Sequence, residues 1–132
     1  MKKYLAQAAF KSSDSEVKYS MYIGRWQPWH KGHRWLIDQR LNDGKNILIC
    51  IRDIEPDTKN PWTAQEVEAN LRIELKDLIE EGRVAITILP DIESINIGRG
   101  VGYDIIEHIP PDEIKEVSAT KIRAKMKQDG KL

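Results

Sequence analysis

The chain has 132 residues, and its 21 lysine and arginine residues balance 21 aspartate and glutamate residues, so its formal net charge is zero. This length suits one domain, and the lack of a basic surplus argues against a protein whose main role is to wrap nucleic acid. The single cysteine, Cys50, excludes an internal disulfide. No apolar run approaches the roughly 20 residues that span a bilayer. We therefore expect a cytoplasmic protein without a membrane or nucleic-acid partner.

The first half of the chain predicts strands and helices in alternation. We expect residues 1–18 to form an N-terminal tail and residues 19–132 to form the domain, because a periodic pattern begins only near Tyr19. Residues 19–24 predict a strand, and a helix should run from Trp29 or His30 to about Leu41. The continuous apolar run at 46–51, which includes Cys50, is typical of a central parallel strand covered on both faces.

A second helix and a third strand are predicted next. Thr63 and Glu66 have the spacing of a capping box, which places a helix start at Thr63. An apolar stripe then continues to Gly82, which should close that helix. The run at 84–89 predicts the third strand, which Pro90 ends.

The last third of the chain has shorter patterns. Residues 93–97 and 114–117 predict two short strands, and residues 103–108 predict a short helical piece. A final helix should open at Ser118 or Ala119 and run to about Lys127. Strands that alternate with helices predict a three-layer, Rossmann-like α/β fold with a parallel sheet.

The segment at 24–33, GRWQPWHKGH, carries the most informative pattern because it joins the first strand to the first helix. His30 and His33 are three residues apart, which puts both imidazoles on one side of a helical turn. Gly32 removes a side chain where another group must come close. Ligands bind at the carboxyl edge of such sheets, and a helix N-terminus favours an anion. The segment therefore predicts a phosphate site rather than zinc, which on a helix uses histidines four residues apart, and we expect no protein-bound metal.

A second strand-to-helix junction at 117–123, VSATKIR, has the same character. Ser118 and Thr120 place hydroxyls at the start of the final helix, and Arg123 follows one turn later. A guanidinium can hold a phosphate through two parallel hydrogen bonds. Alone, the hydroxyl pair is no more than a typical helix cap. Together with the first motif, it predicts a second phosphate cradle.

The two motifs, in this order, resemble the signatures of the HIGH-motif, cytidylyltransferase-like nucleotidyltransferase superfamily: H-x-G-H after the first strand and [ST]-x-[ST]-x-x-R before the last helix. The resemblance spans residues 20–127. The first motif is most similar to the G-R-F-Q-P-x-H-x-G-H form of archaeal-type nicotinamide mononucleotide adenylyltransferases. The stretch at 60–63, NPWT, resembles their N-P-F-T.

Some positions depart from that pattern. Trp26 and Trp62 stand in place of Phe, and Ala119 stands in place of Gly. The turn at 98–103, GRGVGY, resembles a stretch of small cytidylyltransferase-like proteins. These departures leave the identity of the nucleotide and of the acceptor open.

The resemblance implies transfer of a nucleoside monophosphate from an NTP, either ATP or CTP, to a small phosphate-bearing acceptor, with release of pyrophosphate. The leading expectation is adenylyl transfer to nicotinamide mononucleotide or a similar phosphate monoester. The alternatives are a cytidylyltransferase acting on a sugar- or polyol-phosphate, and a non-catalytic nucleotide-binding sensor. Mg²⁺ would bind through the NTP phosphates. The oligomeric state is left open, a homo-oligomer included.

The resemblance also implies residue roles. The expected catalytic residues are His30, His33 and Arg123. The expected nucleotide-binding residues are Gly24, Arg25, Gln27, Gly32, Gly98, Arg99, Ser118 and Thr120. The expected acceptor-binding residues are Arg52, Asp53 and Trp62. The alternative for Arg25 is an ordinary surface arginine, and the alternative for residues 98–102 is an ordinary turn. For Arg52 and Asp53 the alternative is an ion pair in a loop. For Trp62 it is a hydrophobic staple before Thr63.

Overall fold

Three parallel strands form the sheet of the computed structural model, which describes residues 18–130. The strands are β1 (Tyr19–Gly24), β2 (Asn46–Asp53) and β3 (Val84–Pro90), and β2 lies between the other two. In register, Tyr19 lies opposite Asn46, and Ile47 lies opposite Val84. All three strands stand where the sequence predicts them. The predicted tail, apart from Lys18, lies outside the described residues.

Helices flank this sheet, as the alternating sequence pattern predicts. They are α1 (Lys31–Leu41), α2 (Ala64–Glu74), α3 (Lys76–Glu80), α4 (Asp112–Lys115) and α5 (Ala119–Gln128). The parallel sheet with its flanking helices confirms the α/β, Rossmann-like class. Within residues 18–130, no helix combines the length and the apolar character needed to cross a membrane.

The core lies between one face of the sheet and the first two helices. Alternate residues of a strand point to the same face, and β2 and β3 each place three apolar side chains into one buried cluster with side chains of α1 and α2. Those six strand residues are Ile47, Ile49, Ile51, Val84, Ile86 and Ile88. Cys50 is also buried, as predicted, and burial raises the pKa of its thiol to about 11. The thiol is thus a protonated packing group.

Side-chain hydrogen bonds to main-chain carbonyls fix α1 on the sheet. The Tyr22 hydroxyl of β1 donates to the Leu36 carbonyl at 2.7 Å. At the C-terminal end of α1, the Arg83 guanidinium donates to the carbonyls of Leu41 and Lys45 at 3.0 and 2.8 Å. The helix is thus held at its middle and at its C-terminal end, and this fixes its position relative to β1.

The second helix begins as predicted but is interrupted. Thr63 and Glu66 form the capping box, with two reciprocal bonds of 3.1 Å. The single helix expected to reach Gly82 is divided into α2 and α3 at Leu75, whose backbone leaves the helical region (φ −116°, ψ 21°). The side chain of Leu75 is buried, and Leu78 of α3 packs against the same core. The apolar stripe is therefore preserved across the break.

Three short predictions in the last third are wrong. Residues 93–97 form no strand, because alternation alone does not supply a neighbouring strand, and their isoleucines are exposed. Residues 103–108 form no helix, where two adjacent β-branched isoleucines disfavour one. The strand predicted at 114–117 is replaced by α4, whose first turn holds Asp112 and Glu113, the acidic side chains that a helix N-terminus favours.

Candidate active site

The candidate site lies at the start of α1, directly after β1 and its connecting loop. His30 is the N-cap of α1, with an extended backbone (φ −145°, ψ 176°). Its ring Nδ1 accepts the backbone N–H groups of Gly32 at 3.0 Å and His33 at 3.4 Å. In return, Nδ1 of His33 accepts the backbone N–H of His30 at 3.3 Å. The two histidines thus form a reciprocal capping box, and the N–H groups of Gly32 and His33 already have a side-chain partner.

The capping box determines which ring nitrogens face a ligand. A neutral imidazole has one N–H donor and one acceptor nitrogen. Because Nδ1 is the acceptor in both His30 and His33, the proton must reside on Nε2 in both rings. The rings stack with centroids 3.7 Å apart and planes 20° apart. The pair therefore presents two Nε2–H donors from nearly parallel rings.

Aromatic side chains enclose His33. Trp26 meets its ring edge to face, with centroids 4.9 Å apart, and Trp29 lies 5.4 Å from it. Burial, with a smaller contribution from the neighbouring His30, lowers the pKa of His33 to about 3. Burial also lowers the pKa of His30. At neutral pH both rings are uncharged hydrogen-bond donors.

Trp26 is a site-building residue that the sequence analysis did not single out. It is buried, adopts a left-handed backbone (φ 54°), and donates its indole N–H to the Cys50 carbonyl of β2 at 3.1 Å. A non-glycine residue with positive φ is uncommon, and it needs surrounding contacts to hold it. The local sequence carries no signal for this conformation, because the partners are His33 and the neighbouring strand.

The two glycines of the first motif make room for these rings. A Cβ at Gly32 would lie 2.8 Å from Cε1 of His30, and a Cβ at Gly24 would lie 3.0 Å from the Trp26 ring. The approach at Gly32 is too close for a Cβ, and the approach at Gly24 would require the Trp26 ring to move by a few tenths of an ångström. The sequence predicts that another group comes close to Gly32. In the structure that group is the ring of His30.

The second motif begins α5. The Ser118 hydroxyl caps the helix by accepting the Lys121 N–H at 3.1 Å. Nη2 of Arg123 donates to the Thr120 hydroxyl at 3.4 Å. A groove of about 420 Å³ runs beside this start, and its lining comprises Val117, Ser118, Ile122 and Met126, the cations Lys121 and Lys125, and the carboxylates Glu116 and Asp129. It offers apolar side chains with balanced charges next to the predicted phosphate cradle.

Arg123 joins the two motifs. Its Nη1 donates to the main-chain carbonyl of Gln27 in the first motif, 96 residues earlier. Ile114 of α4, three residues before the second motif, also lies near Gly32, 3.8 Å from where a Cβ would stand. The structure therefore brings the predicted histidines and the predicted arginine to one place.

Gln27 and Trp62 are also brought together. Nε2 of Gln27 donates to the Trp62 carbonyl at 3.1 Å, and Oε1 of Gln27 accepts the Trp62 N–H at 3.0 Å. Gln27 is buried, and Trp62 packs partly buried against the core. The amide expected at the nucleotide has a main-chain partner instead, and Trp62 lies where the hydrophobic staple would place it.

Arg52 and Asp53 are the last residues of β2, at the expected carboxyl edge. Nη2 of Arg52 pairs with Asp91 at 3.1 Å, which is the ion-pair alternative. Its Nε is buried and has no hydrogen-bond partner among the described residues.

Arg25 is exposed near Asp57, whose carboxyl pKa is lowered by hydrogen bonds from Asn60 and Lys59, with a smaller contribution from Arg25.

Gly98 and Arg99 lie in the exposed irregular stretch after β3. A Cβ at Gly98 would meet no atom within 4 Å. In this structure the turn at 98–103 is thus open to solvent, and no contact joins it to the two histidines within the described part of the chain.

Comparison with known proteins gives partial matches of one kind. Nicotinamide-nucleotide adenylyltransferases from Methanocorpusculum labreanum, Saccharolobus solfataricus and Thermoplasma acidophilum are 36%, 34% and 31% identical to the chain over 52, 80 and 81 residues. These matches cover 38%, 58% and 60% of this chain. They cover 31%, 46% and 43% of the relatives, so the chain spans less than half of each of them. No protein-family model matches the chain.

A solved structure agrees with the sequence matches. A bifunctional NMN adenylyltransferase/ADP ribose pyrophosphatase from Francisella tularensis is similar at a TM-score of 0.50 and 32% identity, over 57% of this chain and 23% of that one. The fold, the two motifs that meet at Arg123 and these matches all agree. The chain is therefore similar over part of its length to the nicotinamide-nucleotide adenylyltransferases, and this similarity supports the resemblance of its two motifs to those of the HIGH-motif, cytidylyltransferase-like nucleotidyltransferases.

Proposed function

We propose that the chain transfers the adenylyl group of ATP to the phosphate of nicotinamide mononucleotide. An acceptor phosphate oxygen attacks the α-phosphorus, the bond from that phosphorus to the bridging oxygen breaks, and pyrophosphate leaves. A phosphate acceptor is already ionised at neutral pH, so the protein needs no general base. Catalysis then depends on positioning and on stabilising charge at the transferred phosphoryl group.

One observation carries this proposal above the others: the hydrogen bond from Arg123 to the Gln27 carbonyl, which unites the two phosphate-binding motifs. It attaches the Arg123 guanidinium to the main chain three residues before His30, whose ring stacks on that of His33. The neutral Nε2–H groups suit the α- and β-phosphate oxygens. Arg123, with Ser118 and Thr120, suits the β- and γ-phosphates and the leaving pyrophosphate.

The residues present fit Mg²⁺ only as a partner of the nucleotide. Within residues 18–130, no group of three or more His, Cys, Asp or Glu side chains is placed to hold a metal ion. Mg²⁺ commonly binds through substrate phosphates with few protein ligands. When bound in that way, it would neutralise phosphate charge, while His30, His33 and Arg123 supply hydrogen bonds.

The experiment is a pyrophosphate-release assay with Mg²⁺, in which ATP and CTP are each paired with nicotinamide mononucleotide and with a panel of sugar and polyol phosphates. Calorimetric titration of each nucleotide runs beside it. Release with ATP and nicotinamide mononucleotide supports the proposal. Release with CTP and a sugar or polyol phosphate overturns the substrates. Nucleotide binding without release from any pair overturns the catalytic proposal in favour of a sensor.

A further inference from the structure

Gln27 makes contacts to both sides of the candidate site. Its side-chain amide bonds to the main chain of Trp62, and its own main-chain carbonyl accepts a hydrogen bond from Arg123. Gln27 is only 3% exposed, so solvent does not compete for these bonds. One residue therefore contacts the loop before α2 and the first turns of α5.

The bonds to Trp62 restrict that residue unusually well. The Gln27 amide acts as a second peptide group, donating to the carbonyl and accepting the N–H of the same residue at 3.1 and 3.0 Å. Two antiparallel bonds to one residue fix its distance and its rotation, as in a pair of strands. The two residues are 35 positions apart. No regular secondary structure joins the segments that carry them.

Removing the side-chain amide of Gln27 would leave the N–H and the carbonyl of Trp62 without these hydrogen-bond partners. A buried N–H or carbonyl that loses its partner is costly, so the Trp62 main chain would move to reach water. The indole of Trp62 packs partly buried against the core and would shift with it. Because Arg123 bonds to the main chain of Gln27, a side-chain substitution leaves that bond possible.

We propose that Gln27 is a positioning residue that holds Trp62 at a fixed place relative to Arg123, and so sets the acceptor pocket against the phosphate site. This inference rests on the proposed function, and it takes Trp62, an acceptor-binding residue expected from the sequence, to contact the acceptor as well as to pack partly buried against the core. Gln27 itself does not touch the reacting atoms.

The test uses Gln27→Met, which keeps the volume and removes both bonds. The matched control is Gln39→Met, because Gln39 also donates to a tryptophan carbonyl, that of Trp35, but within α1 at 2.8 Å. Loss of the two bonds should raise the KM for the acceptor about tenfold in Gln27→Met and leave kcat within about threefold. The control should keep both constants.

A double-mutant cycle with Trp62→Ala separates positioning from general destabilisation. If Gln27 acts through Trp62, adding Gln27→Met to Trp62→Ala should change the acceptor KM by less than about twofold. Full additivity of the two changes overturns the proposal. So does an unchanged acceptor KM in Gln27→Met alone.

Amide hydrogen exchange gives a readout that does not need turnover. Gln27→Met should accelerate exchange at the Trp62 N–H while Ile49 and Ile86 in the sheet keep their protection. Equal acceleration throughout the sheet would mean a merely structural role. If the wild-type chain turns over no substrate pair, the proposed function fails, and nicotinamide mononucleotide affinity then replaces the acceptor KM. The Gln27 proposal is overturned if Gln27→Met binds nicotinamide mononucleotide as tightly as the wild-type chain does. It is also overturned if the wild-type chain does not bind nicotinamide mononucleotide.

Discussion

The two helix starts that carry the site are capped by the same principle but differ in how they are held. His30 caps α1 among aromatic rings, on a helix that Tyr22 holds at its middle and Arg83 holds at its C-terminal end. Ser118 caps α5 with a single bond, and no residue of α5 is buried. Its link to the first motif is the bond from Arg123 to Gln27. The first half of the site is thus a rigid part of the core, and the second half is docked onto it.

The most damaging change should be His33→Ala in the rigid half. It removes an Nε2–H donor and one side of the capping box, so turnover should fall by about 100-fold or more while nucleotide still binds. Pyrophosphate release and calorimetric titration measure the two effects. His108→Ala is the matched control, since His108 stacks on Tyr22 and makes no ring contact with His30 or His33 among the described residues. Wild-type turnover in His33→Ala would refute the role assigned to this histidine.

Arg123→Lys tests the docked half and should have the next largest effect. A lysine cannot reproduce the planar fork that reaches both the Gln27 carbonyl and the Thr120 hydroxyl. We expect about a tenfold loss in kcat/KM for the nucleotide. Arg72→Lys, on an exposed pair with Glu68, should behave like wild type. If both variants match wild type, the docking interaction has no catalytic value.

The buried histidine also predicts how stability depends on pH. The pKa of His33 is about 3 in the folded chain, below its ordinary value of about 6.5. The unfolded chain therefore binds more protons between these values, and stability must decrease as pH falls. The contribution of His33 should be complete above about pH 6.5 and lost progressively toward pH 3. Urea unfolding at several pH values should show a flatter dependence for His33→Gln, and equal slopes would contradict the burial argument.

Ser118→Ala should have the smallest effect and sharpen the contrast between the helix starts. Loss of a serine cap costs about 1 kcal/mol of helix stability. In this chain the loss of stability should be confined to the exposed helix α5. Exchange at the Lys121 amide should accelerate, with a small rise in the nucleotide KM. Thr63→Ala, which removes the cap of α2, should lower global stability without changing that KM. A similar response of both variants would mean that α5 is as firmly held as the core.

Local patterns were sufficient for much of the fold. The runs of β1 to β3, the Thr63 capping box and the Ser118 cap depend on neighbours within a few positions, so these strands and these two helix starts stand as predicted. The predictions failed where a partner was needed: residues 93–97 alternate like a strand but pair with none. In the candidate site, too, local features could be predicted and contacts with distant residues could not. The motifs identified His30, His33 and Arg123, but they gave no sign that Gln27 would bond to Trp62.

The sequence by itself determined the three strands, the starts of α1, α2 and α5, the residue types of the two motifs and the superfamily resemblance, because spacing along the chain specifies each of these. The tertiary structure alone decided the left-handed Trp26, the depressed pKa of His33 and the bonds of Gln27. Two of these depend on groups distant in sequence, a neighbouring strand and a loop 35 residues away, and the third depends on how packing brings the rings of Trp26 and Trp29 onto His33. Packing sets those distances, and no local pattern records them.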